Sequence, residues 1–259
     1  MKRKLVTVIQ ARMGSSRLPG KVLMPILGKP VLWHIVQRLK KAEGIDQVII
    51  ATSRLTRDNP IAEFCQKQNV FCFRGDEVDV LDRFYQAAKA SGAEDLIRIT
   101  GDCPLADPEL IGQVIHYYYD YGFEYCGVAT GAGVAHEGFN GRFPDGLDAE
   151  IFSFAVLERA WKEADGVLYR EHVTPYLWKH PDKFKNGIFR SKKIDYSQMR
   201  WTMDNAEDYD LIRNIYESLY PENPGFLMKD ILELMKKEPG LFSKNQHFVG
   251  KEGYEAFWH

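Results

Sequence analysis

A chain of 259 residues with 45% hydrophobic and 27% charged content can bury a full core and has the composition of an ordinary globular protein. Its net charge of −2 excludes a global attraction to nucleic acid or an anionic membrane, so any anion it binds must be held locally. No apolar run approaches the roughly 20 residues that cross a bilayer, and Met1-Lys2-Arg3-Lys4 leads into only a short apolar stretch. No membrane or nucleic-acid partner is therefore expected, and the expected location is cytoplasmic. Cys65, Cys72, Cys103 and Cys126 have neither C-x-x-C nor zinc spacing and read as buried free thiols.

In chain order, Leu5, Val6, Val8 and Ile9 form a short apolar run that reads as a buried strand. It breaks at Gly14, Ser15, Ser16, Pro19 and Gly20 into a loop carrying three cations, Arg12, Arg17 and Lys21. A strand entering a Gly/Ser loop offers backbone N–H groups to an anion, and the cations supply charge for a polyphosphate. The loop is not the common P-loop: Gly14 to Gly20-Lys21 is one residue too long, and Val22 stands where a magnesium-binding hydroxyl belongs. Pro30 then opens a helix with Val31, Leu32, Ile35, Val36 and Leu39 on one face. Gln47 to Thr52 is a second strand, Asp58-Asn59-Pro60 starts a helix to about Gln68, and Val70 to Phe73 is a third strand. Val80 to Ser91 is a helix ended by Gly92, and Leu96 to Thr100 is a fourth strand. Asp107-Pro108-Glu109 starts the helix Leu110 to Tyr121, whose Tyr117, Tyr118, Tyr119 and Tyr121 read as half-buried packing rather than a base-stacking platform. Gly127 to Gly146 is glycine-rich and aperiodic, a long loop of the kind that is usually functional or disordered. Ile151 to Ala164 and Tyr169 to Lys179 look helical, the second bent or split by Pro175. Gly187 to Arg190 and Met199 to Met203 are expected strands, and Ala206 to Tyr220 and Leu227 to Lys237 are expected helices. Such alternation argues for an α/β fold, a mostly parallel sheet covered by helices.

Two further segments carry carboxylates past strand ends. Asp102 follows the strand of Arg98-Ile99-Thr100 beside Gly101, and Asp204 ends Arg200-Trp201-Thr202-Met203-Asp204. Open α/β sheets present ligand-binding groups outside the carboxyl ends of their strands, and two carboxylates suit Mg²⁺, which completes its shell with phosphates and water. The competing readings are a turn former for Asp102 and a helix cap for Asp204. Phe143-Pro144-Asp145-Gly146-Leu147-Asp148-Ala149-Glu150 gathers three acids that are either acceptor contacts or helix-start charges favoured by the dipole. Arg170, in Tyr169-Arg170-Glu171-His172, has the fork for a carboxylate.

Ala11-Arg-Met-Gly-Ser-Ser-Arg-Leu-Pro-Gly-Lys21 resembles the nucleotide-binding loop of the cytidylyltransferases that activate acidic sugars of the acylneuraminate and 3-deoxy-manno-octulosonate type, most closely the spore coat polysaccharide biosynthesis protein F branch. Gly101-Asp102 and Pro104 match that family's Gly-Asp-Glu-Pro loop, with Cys103 in place of the Glu, and Tyr169 to Pro175 matches the branch. The resemblance implies a three-layer, doubly wound fold of the nucleotide-diphospho-sugar transferase kind. It implies a single domain over 1–259, with a nucleotide core at 1–126, an inserted acceptor and dimerisation region at 127–200, and core completion at 201–259. It also implies Mg²⁺-dependent transfer of CMP from CTP to a sugar, with release of pyrophosphate, for surface polysaccharide synthesis by a homodimer. Arg12, Lys21, Asp102 and Asp204 would then be catalytic, with Mg²⁺ on the two aspartates. Ala11, Gly14, Ser15, Ser16, Arg17, Arg74 and Thr100 would join Arg12 and Lys21 in holding the nucleotide. Asp145, Asp148, Glu150, Arg170, Glu171, His172 and Arg200 would face the acceptor. Two alternatives stand beside this reading: a metal-dependent glycosyltransferase, against which Pro104 breaks the expected Asp-x-Asp, and a nucleotide-binding assembly subunit without catalysis.

Overall fold

The computed structural model describes residues 3–131, 141–192 and 194–250. Its elements in order are β1 (Leu5–Gln10), the two-residue strands β2 (Pro25–Ile26) and β3 (Lys29–Pro30), α1 (Val31–Leu39), β4 (Gln47–Ser53), α2 (Asn59–Gln68), β5 (Phe71–Gly75), α3 (Val80–Ser91) and β6 (Asp95–Thr100). There follow α4 (Pro108–Tyr121), β7 (Tyr125–Val128), β8 (Glu150–Ser153), α5 (Phe154–Glu163), α6 (Val167–His172), α7 (Pro175–Trp178), β9 (Asn186–Phe189), α8 (Ala206–Leu219), α9 (Met228–Lys237) and α10 (Pro239–Phe242). Seven strands form one sheet in the order β5-β4-β1-β6-β8-β7-β9. All neighbours pair in parallel except β8, which runs antiparallel to both β6 and β7.

The strands are apolar on both sides because both sides are covered. Leu5 and Ile9 of β1, Ile50 of β4 and Ile97 and Ile99 of β6 pack on one face with Leu32 and Ile35 of α1, Ile111 of α4 and Leu211 and Ile215 of α8. Val6, Val8, Ile49 and Leu96 point the other way, onto Leu81 and Phe84 of α3, Leu157 of α5 and Leu177 of α7. This is a three-layer, doubly wound, mostly parallel α/β fold, with each fully buried Leu, Ile or Val contributing about 1.5–3 kcal/mol. Local chemistry sets the helix limits as the sequence predicts. Asp107 accepts from the N–H groups of Glu109 (2.9 Å) and Leu110 (3.1 Å) to start α4, and Gly92 ends α3 in the left-handed conformation at φ 65°. Tyr118 is buried in the core and Tyr117 packs on Tyr121, Phe123 and Phe189, as expected of packing residues.

Three expectations are corrected. Ile151 does not begin a helix: Glu150–Ser153 is β8, and the helix starts only at Phe154, where the Ser153 hydroxyl caps it by accepting from the Val156 N–H. The glycine-rich stretch does not begin as loop, since Tyr125–Val128 is β7; residues 132–140 of that stretch lie outside the described residues. Met199 to Met203 is not a strand but an extended segment with one isolated bridge between Arg200 and Asp145. In each case a four- or five-residue run was too short for periodicity to separate strand from helix or loop, and pairing with distant chain decided it. The predicted break at Pro175 is real, with α6 ending at His172 and α7 beginning at Pro175. No helix among the described residues is long and apolar enough to cross a membrane.

The antiparallel β8 matters for the site. Its first residue, Glu150, registers with Arg98 near the carboxyl end of β6, so the chain entering β8 arrives at the same sheet edge as the loops leaving β1, β4, β5 and β6.

Candidate active site

At that edge the loops enclose a cavity of about 600 Å³. The loop after β1 forms one wall. Its base is tied by Ala11 N–H to Ala51 O (3.2 Å), and it closes on itself through Gly20 N–H to Met13 O (3.0 Å) and Leu18 N–H to Ser15 Oγ (3.3 Å). A buried carboxylate fixes it from behind: Asp58 accepts from Met13 N–H at 2.7 Å and from the Ser53 hydroxyl and N–H. Arg12, Gly14, Ser15, Ser16 and Arg17 all line the cavity, with Arg12 and Arg17 exposed.

Lys21 behaves differently from the other two cations. It turns inward, 7% exposed, and its Nζ lies 2.7 Å from both Asp102 Oδ2 and Asp204 Oδ1. Burial works against the ammonium, but the two carboxylates outweigh it and raise the Lys21 pKa. Burial likewise opposes ionisation of Asp102, yet Lys21 and the Thr100 hydroxyl hold its carboxyl below the ordinary range. The two aspartate segments are stitched together by backbone: Asp102 O accepts from Met203 N–H (2.9 Å) and from the Thr202 hydroxyl (3.3 Å). Gly146, at φ 97°, lets the segment of Asp145 lie flat on that of Trp201, where a Cβ would come within 2.4 Å of the Thr202 nitrogen.

Behind Asp204 sits Arg200, whose side chain is 2% exposed. Its guanidinium grips Asp208 with Nε and Nη2 (3.0 Å each), Asp145 with Nη1 (2.9 Å) and Asp204 with Nη2 (3.1 Å). Asn245 closes the cluster, donating to Arg200 O (2.9 Å) and to Asp208 Oδ1 (2.8 Å). Burial and Asp148 push the Asp145 carboxyl well above the ordinary range against the pull of Arg200, and burial raises Asp148 as well. The cluster of Asp102, Asp145, Asp204 and Asp208 thus holds more carboxylates than buried cations.

The residues singled out from the sequence divide into two groups. Ala11, Arg12, Gly14, Ser15, Ser16, Arg17, Lys21, Thr100, Asp102, Asp145, Glu171, His172, Arg200 and Asp204 line the one cavity. Arg74, Asp148, Glu150 and Arg170 do not line it. Arg74 clamps the loop after β4, donating to Ser53 O, Leu55 O and Asn59 Oδ1 at 2.8–2.9 Å. Arg170 makes its two-pronged contact with Asp79. Asp148 accepts from the Thr130 hydroxyl (2.6 Å) and Gly146 N–H (2.9 Å), and Glu150 pairs with Arg98 and the Tyr125 hydroxyl. Gln10, Arg83, Arg98 and Thr202 line the cavity without having been singled out. A charged Arg98 inside an otherwise apolar strand was the available signal for one of them. Cys103 is buried, and burial with Asp102 beside it pushes its thiol up, as suits an inert residue.

The donor set fits a hard divalent cation. Two carboxylates from separate segments, Asp102 and Asp204, converge on Lys21, and Asp204 is also met by Arg17 and Arg200 at 3.1 Å each. Among the described residues no three His, Cys, Asp or Glu side chains gather as a cage, and Mg²⁺ characteristically takes one or two carboxylates with phosphate oxygens and water.

Fold and site together define an α/β nucleotidyltransferase. A cytidylyltransferase family model matches residues 6–245, and the chain belongs to that family. It is 33% identical over 241 residues to the spore coat polysaccharide biosynthesis protein SpsF of Bacillus subtilis, covering 91% of this chain and 95% of the relative. Over 117 residues it is 36% identical to an 8-amino-3,8-dideoxy-manno-octulosonate cytidylyltransferase of Shewanella sp. (strain W3-18-1), covering 44% of this chain and 47% of the relative. A solved cytidylyltransferase from Leptospira borgpetersenii superposes with a TM-score of 0.82 at 30% identity, covering 93% of this chain and 97% of that one.

Proposed function

We propose that the enzyme transfers CMP from CTP to a hydroxyl of an acidic or amino sugar, releasing pyrophosphate, as an activation step for surface polysaccharide in the cytoplasm. The observation that carries this reading is the meeting of Asp102, Asp204 and Lys21 beside a cation-bearing Gly/Ser loop. Arg12 and Arg17 line the cavity, Arg17 resting 3.1 Å from Asp204, and would neutralise the β- and γ-phosphates, while the backbone of Gly14 to Ser16 would supply N–H donors. Lys21 orients the two aspartates and faces the charge that grows on the leaving pyrophosphate. Asp102 and Asp204 would hold Mg²⁺, which when bound withdraws charge from the α-phosphate. The acceptor's place is on the side of Asp145, Glu171 and His172, and region 127–200 is proposed to serve the acceptor and a homodimer contact.

Pyrophosphate release tests the reading, measured with CTP, UTP, GTP and ATP against acidic and amino sugars, with and without Mg²⁺. Release that requires CTP, Mg²⁺ and one acceptor is expected. Transfer of a whole sugar from a nucleotide sugar, with no pyrophosphate formed, would overturn it.

The loop's rear anchor gives a second expectation. Asp58→Ala removes the acceptor of the Met13 N–H and of the Ser53 hydroxyl and N–H at the base of the loop, a cost of about 1–3 kcal/mol. The KM for CTP should rise about tenfold while the KM for the acceptor stays put, as steady-state kinetics with each substrate varied would show.

A further inference from the structure

Transfer to a hydroxyl requires that a proton leave the acceptor, and most cavity residues are unsuited to receive it. Arg12, Arg17, Arg83, Arg98 and Arg200 are fixed cations, Lys21 is held protonated by two carboxylates, and Asp145 is committed to Arg200, which leaves Glu171, an exposed side chain, and His172 on the acceptor side. His172 is half-buried in the same wall, at the end of α6. The backbone directly after it is strained: Val173, β-branched and fully buried, sits at φ 70° and ψ −59°, and Thr174 N–H reaches back to His172 O at 2.9 Å. That is the rare γ-turn, which L residues with branched side chains avoid, and such outliers persist where the surroundings enforce them. Two residues before it the chain is anchored too, because Arg170 is locked onto Asp79 and onto Trp161 O (2.9 Å). A clamp on one side and a strained turn on the other hold His172 in the cavity wall.

We infer that His172 is the catalytic base of the transfer, taking the proton from the acceptor hydroxyl as that oxygen attacks the α-phosphate. This rests on the reading of the site as a CMP-transfer centre. In the step, the acceptor O–H bond breaks and its electron pair forms the new O–P bond. The bond from the α-phosphorus to the pyrophosphate oxygen breaks, and its pair departs on pyrophosphate. The proton stays on the imidazole until water removes it.

The groups facing His172 give the base a dependence on nucleotide. Arg98 from β6, Arg12 from the loop after β1, Glu150 from β8 and Glu171 beside it are the charges around the ring. Burial comes first and Arg98 second in lowering its pKa, so the imidazole is neutral and able to accept a proton near pH 7. Bound CTP brings several negative charges to Arg12 and offsets the cations, which raises the proton affinity of His172 when the substrate is in place.

Two measurements test this. In imidazole NMR titration of the full-length protein, the His172 midpoint, assigned with His172→Gln, should lie below that of a free histidine and move up on saturation with CTP. In kinetics, His172→Gln should bind CTP by calorimetry within about twofold of wild type. Its kcat should fall about 10²- to 10⁴-fold, and the acidic limb of the pH–rate profile should disappear. A His172 midpoint unmoved by bound CTP, or a variant that keeps kcat and the acidic limb, overturns the base assignment alone. Failure of the wild type to bind CTP overturns the reading of the site, and this inference with it.

Discussion

Asp102→Asn is expected to reduce turnover by about 10³-fold or more while the protein still folds. The amide has the shape of the carboxylate, so Gly101 N–H to Gln10 O and the backbone bonds from Met203 and Thr202 to Asp102 O are untouched. What changes is charge. Lys21 keeps Asp204 at 2.7 Å, so the buried ammonium is not left alone, but an amide is a poor ligand for a hard cation. On the proposed reading, the withdrawal of charge from the α-phosphate would be lost while CTP would still meet Arg12, Arg17 and the loop N–H groups. Single-turnover pyrophosphate release with saturating CTP measures the chemical step, and thermal unfolding checks the fold. An Asn variant with near-normal turnover would sink the metal assignment.

Arg200→Met should be the most destabilising single change in the site. Its guanidinium serves three carboxylates, and two of them, Asp145 in the cavity wall and Asp208 behind it, have little access to water. Removing one partner of a buried charge network costs about 3–5 kcal/mol because the remaining charges stay buried and uncompensated. For a chain of this size that corresponds to a fall in Tm of about 10 °C. Arg200→Lys keeps the charge but loses the fork that reaches Asp208 with two bonds, so it should recover part of the stability and little of the activity. Calorimetric melting of both variants is the measurement; a Met variant that melts with wild type would mean the network carries no stability. Asp204 should also lose its orientation, so the Mg²⁺ concentration for half-maximal activity should rise in the Lys variant.

The sequence by itself determined the α/β class, the positions of β1, β4 and β6, the limits of α3 and α4, and the loop from Ala11 to Lys21. These are set by neighbours in the chain: apolar runs of strand length, an Asp-Pro helix start at Asp107-Pro108, a Gly at the end of α3. The Asp102 and Asp204 segments were legible because each puts a carboxylate beside a turn. Only the tertiary structure decided that the two meet. Lys21 joins residues 81 and 183 positions away, and no local pattern encodes such a separation. The same holds for Arg200 and Asn245, 45 positions apart, and for Asp58 behind the loop, where a buried polar residue finds its partners only after the sheet has formed. Arg74 and Arg170 show the converse. As single residues they carried the chemistry of anion binding, but their guanidinium groups are taken up by backbone carbonyls, Asn59 and Asp79. A side chain's chemistry is local to the sequence; the direction in which the fold points it is not.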